Sequence, residues 1–205
     1  MSRQGCFRIV AKGSIFLVLL ALVAVVFAEY IQKKVLFQPT ALAADYQFQF
    51  DAPFEEVFLD APDGPRINAL WFKTERPARH GVVLYLHGNR DNLQRWGGFS
   101  RDFTALGWDF FAIDYRGYGK STGEPDEVGC YLDGGLAYDF LRKNYPPEQI
   151  VIFGRSLGSG VATHLAARVP ARMLILETPF DNVRGIAEGY LGGISLRLNP
   201  VFRFP

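Results

Sequence analysis

Cysteine, histidine and any surplus of one charge are all scarce in this 205-residue sequence, and each scarcity excludes a class of function. Twenty-two Lys and Arg stand against twenty-one Asp and Glu, a net charge of +1. A nucleic-acid binder would show a basic surplus, so no nucleic-acid partner is expected. Two cysteines do not make a disulfide scaffold, and three scattered histidines do not make a zinc cluster. Charged residues at 21% beside aromatics at 15% exclude a disordered chain. What is present is material for one globular domain behind an unusual N-terminus.

Gly13 to Ala28 carries no charge, and Ile15 to Ala28 is apolar throughout. Arg3, Arg8 and Lys12 precede this run; Glu29, Lys33 and Lys34 follow it. With Lys12 snorkelling, Ile9–Ala28 gives 20 residues, or about 30 Å of helix, enough for a bilayer core. Residues 1–29 are therefore expected to form a single-pass transmembrane helix. A cleaved signal peptide ending at Val26-Phe27-Ala28, with a secreted product, is the alternative. Either way the basic flank directs the domain to the non-cytoplasmic side, periplasmic or lumenal. Cys6 and Cys130 then lie on opposite sides and do not pair.

A connector (30–54) leads into the domain proper (55–205). Glu55–Leu59 and Ile67–Lys73 read as strands around the turn Pro62-Asp63-Gly64-Pro65. Gly81–His87 is a continuous apolar run, as a strand buried on both faces requires. Leu93, Trp96, Phe99, Phe103 and Leu106 recur at helical spacing, with Asp91 or Asn92 as N-cap. Asp109–Asp114 is a strand, and Val128, Leu132, Leu136 and Phe140 mark one helical face. Gln149–Phe153 is a strand, Leu157–Arg168 a helix, Met173–Glu177 a strand, and Val183–Ile194 a glycine-weakened helix. Such alternation predicts an α/β fold with a mainly parallel sheet.

Gly154-Arg155-Ser156-Leu157-Gly158 is a G-x-S-x-G between a strand and a helix. In such an elbow the serine sits on a strained turn, and glycines relieve clashes with the neighbouring strand and helix. The helix that follows aims backbone N–H groups at a developing oxyanion. Acyl transfer needs a second N–H, from the loop after the third strand, which here is His87-Gly88-Asn89. Leu157 and Asn89 are the expected oxyanion donors, and His87 is expected to orient the loop. Gly119-Lys120-Ser121 imitates the end of a phosphate-binding loop, but that pattern needs glycine where Asp114 stands. A dinucleotide motif from Gly117 fails because its third glycine falls on Thr122. The segment reads as a glycine-rich turn behind the site.

The series HGN, DYRGYGKSTGEP, FGRSLGSG and ETPF resembles the α/β-hydrolase family, and within it the membrane-anchored serine hydrolases. Relatives there include protein depalmitoylases, lysophospholipases and other esterases. Lys33 to Thr40 is similar to that group's post-anchor segment. The resemblance implies hydrolysis of esters or thioesters through an acyl-Ser156 intermediate, on a small-molecule or lipid-like acyl substrate at a membrane. It implies no metal or organic cofactor, and a lid beginning in Val183–Pro205. It also implies a triad acid after strand seven and a histidine after strand eight. The sequence ends soon after strand six, so the expectation is a C-terminally truncated and inactive hydrolase. Asp181 is an alternative acid, because some relatives place it there. His80, His87 and His164 do not replace the missing base. Met173–Leu176 is then expected to be an uncovered apolar edge. A membrane-tethered, non-catalytic binding protein on the same scaffold is the second reading. A peptidase or haloperoxidase-like activity is a third, on fold analogy alone.

Overall fold

The computed structural model describes residues 15–16, 19–27, 30, 33–77 and 79–179. Glu55–Asp60 (β1) and Arg66–Phe72 (β2) form an antiparallel hairpin. Its turn closes through Ala61 N–H to Pro65 O, with Gly64 at φ 110°. Gly81–Leu86 (β3) is buried from end to end, as its unbroken apolar run requires. Trp108–Ile113 (β4), Ile150–Arg155 (β5) and Met173–Glu177 (β6) complete a sheet ordered β1-β2-β4-β3-β5-β6. β2 joins β4 antiparallel, whereas β4, β3, β5 and β6 run parallel. All six expected strands are present, and the fold is an α/β-hydrolase sheet.

The helical pattern after β3 does not yield one helix. It forms Leu93–Trp96 (α1) and Ser100–Thr104 (α2), separated by a 3-10 turn at Gly97–Phe99. Gly97-Gly98 falls mid-pattern where glycine weakens a helix, and a Cβ on Gly97 would lie 2.6 Å from the Phe50 ring. Asn92 is the N-cap, its side chain accepting from Gln94 N–H at 2.9 Å.

Glu127–Leu141 (α3) is capped by Asp126 and corrects half of the expected facing, since Leu136 and Phe140 pack against the core as expected. Val128 and Leu132 are exposed. The buried face instead carries Gly129, Cys130, Asp133, Gly134, Ala137, Tyr138 and Leu141. The reason is closeness: a Cβ on Gly134 would lie 2.9 Å from Val161, and one on Gly129 2.3 Å from the Arg116 side chain. Leu157–Ala166 (α4) packs beside α3 and against β5.

Apolar cores lie on both faces of the sheet. One gathers Leu84, Phe111, Ile152, Tyr138 and Val161; the other gathers Phe48, Phe72, Tyr85, Trp96 and Phe110. The connector is part of both, since Phe37 and Phe48 are buried. Met173, Leu174 and Leu176 of β6 are exposed.

The expected membrane-spanning helix is not obtained: no helix among the described residues is long and apolar enough to cross a membrane. Residues 19–27 are helical with exposed apolar side chains. Residues 1–14, 17–18, 28–29 and 31–32 of that anchor and its flanks lie outside the described residues, as do Asp181 and the helix and lid expected after it.

Candidate active site

β5 delivers Ser156 to the start of α4 in a conformation few L-residues adopt, φ 50° and ψ −117°. The other described non-glycine residues at positive φ, Asp91 and Thr178, sit in the segments leaving β3 and β6. Strain of this kind persists only where the surroundings enforce it, and it clusters at functional sites. Here Ser156 N–H donates to Glu177 O at 2.9 Å, and Ser156 O accepts from Ser159 N–H and Oγ. The turn is held by close backbone approach. A Cβ on Gly154 would lie 2.4 Å from Gly158 O, and one on Gly158 only 2.0 Å from Leu86 O.

Gly88 faces the serine: a Cβ there would sit 3.6 Å from the Ser156 Cβ. Asn89 follows, half-buried, and no acceptor among the described residues takes its N–H. Leu157 opens α4, so its N–H is one of the four that a helix leaves without an internal acceptor. Ser156 and the 87–89 loop therefore lie side by side at Gly88, and neither Asn89 N–H nor Leu157 N–H has an acceptor among the described residues. Among the described residues no group of His, Cys, Asp or Glu is placed to hold a metal ion.

What steadies the 87–89 loop comes from distant sequence. His87 is fully buried, with Nδ1 2.6 Å from Gly88 O and Nε2 3.4 Å from Asp114 Oδ1. Its ring stacks on Trp96 and meets Tyr115 and Tyr118. Gly88 O belongs to the peptide that carries Asn89 N–H. A trans peptide points the two groups in opposite directions, so pinning the oxygen toward His87 turns the N–H away from it. Tyr115 Oη donates to His87 O at 3.2 Å and Tyr118 Oη to Asn89 O at 2.9 Å. Gln38 N–H from the connector also donates to Asn89 O, at 2.9 Å. Burial raises the Asp114 carboxyl above its ordinary range, opposed by the His87 ring and Leu93 N–H.

The turn after β4 is thus a brace for this loop. Arg116 fixes it to the body through Asp133 at 2.8 Å and Asp63 at 2.7 Å. Burial works against the Arg116 charge, but hydrogen bonds to Asp133 and Asp63 outweigh it and raise its pKa. Sequence reading missed Asp114, Tyr115, Tyr118 and Gln38 as parts of the site. One signal was available: a carboxylate closing the apolar run of β4 needs a buried partner.

None of the three histidines is placed to take a proton from Ser156. Both ring nitrogens of His87 point at other groups. His164 lies eight residues beyond the serine, about 12 Å along α4, and stacks on Tyr131 with centroids 3.7 Å apart. His80 precedes β3 at the opposite end of the sheet, about 20 Å away at strand rise, beside Arg76 and Leu106.

A strained serine at a β5–α4 turn, two free N–H groups and this strand order have a match among known families. The model for the family described as serine aminopeptidase, S33, covers residues 77–194. The chain belongs to this α/β-hydrolase family. Among curated relatives, the chain is 36% identical over 145 residues to the lysophosphatidylserine lipase ABHD12 of Danio rerio, covering 66% of this chain and 37% of that protein. It is 34% identical over 142 residues to protein bem46 of Schizosaccharomyces pombe, covering 66% and 48%. The chain thus spans little more than a third of the lipase's length. An α/β-hydrolase from Vibrio vulnificus superposes with TM-score 0.58 at 27% identity, over 72% of this chain and 56% of that one. A Pyrococcus furiosus esterase superposes at 0.54 and 21% identity, over 78% and 64%, a likeness of fold alone.

Proposed function

We propose that this hydrolase is built to cleave ester or thioester bonds of lipid-like acyl substrates through an acyl-Ser156 intermediate. The observation that carries the reading is the Ser156 conformation, φ 50° with Gly88 at its side. Ser156 Oγ attacks the acyl carbonyl, and the carbonyl oxygen takes up charge between Asn89 N–H and Leu157 N–H. The N-terminal end of α4 adds its positive dipole there. The tetrahedral adduct collapses with loss of the alcohol or thiol, and water then releases the acid. The relatives named as lipases support a lipid ester as the substrate class.

A serine hydroxyl needs a base to take its proton. His80, His87 and His164 all point elsewhere, so on this reading no histidine of these 205 residues activates the serine. Asp181 as an alternative acid would orient such a base but not replace it. The apolar run up to Ala28, helical and exposed over 19–27, supports a single-pass anchor, and the basic flank Arg3, Arg8 and Lys12 supports a domain on the non-cytoplasmic side.

The test is turnover of p-nitrophenyl butyrate by the detergent-solubilised chain and its S156A variant, with and without added imidazole as a surrogate base. The reading expects Ser156-dependent turnover only when imidazole is present. Ser156-dependent turnover without it would place a base within the chain. None under either condition would favour a non-catalytic, membrane-tethered binding scaffold.

A further inference from the structure

The connector enters the fold at the mouth of the site. Gln38 and Pro39 pair in parallel with Arg90 and Asp91, immediately after the 87–89 loop. Gln38 N–H donates to Asn89 O at 2.9 Å and Thr40 N–H to Asp91 O at 3.4 Å. Asn92 Nδ2 and Gly119 N–H both donate to Thr40 O, and Leu42 N–H returns to Gly119 O at 2.8 Å. Phe37 is buried among core side chains just before this ladder. The strand is therefore fastened at both sides of the site's rim, to the loop after β3 and to the turn after β4.

Just before Phe37 the chain leaves the body. Lys33, Lys34 and Val35 are exposed within one helical turn, 33–36. Basic and apolar side chains together suit the boundary between lipid headgroups and acyl chains. From Ala28 to Gln38 is ten residues, at most about 35 Å when fully extended, and the helical turn shortens it. The far end of the sheet lies about 20 Å beyond the mouth. An anchor ending near Ala28 is thus attached to the fold at the mouth of the site rather than at the far end of the sheet.

We propose that the docked segment 33–42 turns the mouth of the site toward the lipid surface, so that a membrane-resident acyl amphiphile reaches Ser156 from the bilayer rather than from bulk water. The inference rests on the anchor reading above. It gives the bond between Gln38 and Asn89 a double consequence, since the same strand that aims the protein also steadies the oxyanion loop.

The experiment uses the full chain with Cys6→Ser, in phosphatidylcholine vesicles that carry nitroxide-labelled lipid. A fluorophore is placed on Arg90→Cys at the mouth or on Lys143→Cys at the opposite end, both exposed positions; Cys130 is buried. Lipid quenching is expected to be several-fold stronger at position 90 than at 143. A flexible Gly/Ser insertion after Tyr30 is expected to remove most of that difference without changing the melting temperature. Vesicle-associated protein quenched equally at both positions, or more at 143, would overturn the inference. Protein that fails to float with the vesicles would overturn the anchor reading itself, which separates the two failures.

Discussion

The two walls of the site are held by different physics. On the Ser156 side, the β5–α4 turn is enforced by backbone crowding at Gly154 and Gly158, within five consecutive residues. On the Asn89 side, the loop is enforced by buried polar side chains at 114, 115 and 118 and by the backbone N–H of Gln38. A steric device tolerates no added atom. A polar network degrades one bond at a time, but its buried members become expensive when orphaned.

Gly158→Ala should test the steric wall most severely. Its Cβ would meet backbone rather than a movable side chain, so a loss of about 4 kcal/mol or failure to fold is expected in urea unfolding. Near-native stability would mean that the elbow is softer than its contacts imply. In the polar wall, Arg116→Ala leaves the fully buried Asp133 with the backbone N–H of residue 116 but no counter-charge and should cost about 3 kcal/mol by the same measurement. Tyr118→Phe removes one of two donors to Asn89 O and leaves Gln38 N–H in place, so about 1 kcal/mol is expected. A Tyr118→Phe loss as large as that of Gly158→Ala would erase the distinction between the walls.

Asp63→Asn should have the smallest effect, recognised by its pH dependence. A hydrogen bond from Arg116 holds the Asp63 carboxyl below its ordinary 3.8. A lowered carboxylate pKa adds stability that is present above that value and lost as pH falls through the depressed one. Melting temperatures of variant and parent should therefore differ at neutral pH and converge in acid. A gap that persists below the depressed pKa would assign the effect to packing.

This contrast also explains what was legible in the sequence. The six strands, the elbow and the Asn89 loop are local codes: apolar runs, glycines at fixed offsets, a strand followed by a helix. The brace around His87 is not local, since Gln38 and Tyr118 become neighbours of Asn89 only once β3 and β4 lie side by side. The first half of the expected α3 face failed for a related reason. Periodicity pointed to Val128 and Leu132, but close packing selected the face of Gly129 and Gly134. The role of the Asp114 turn as a support emerges only from the contacts of its side chains.

The central claim is that Ser156 holds the strained conformation of a nucleophile while none of the three histidines is placed to serve it as a base. Intact-mass detection of fluorophosphonate labelling, with S156A as control and imidazole as the variable, tests it most directly. The account predicts negligible adduct on the chain alone and a Ser156-specific adduct that grows with imidazole. Rapid Ser156 labelling without imidazole would contradict it.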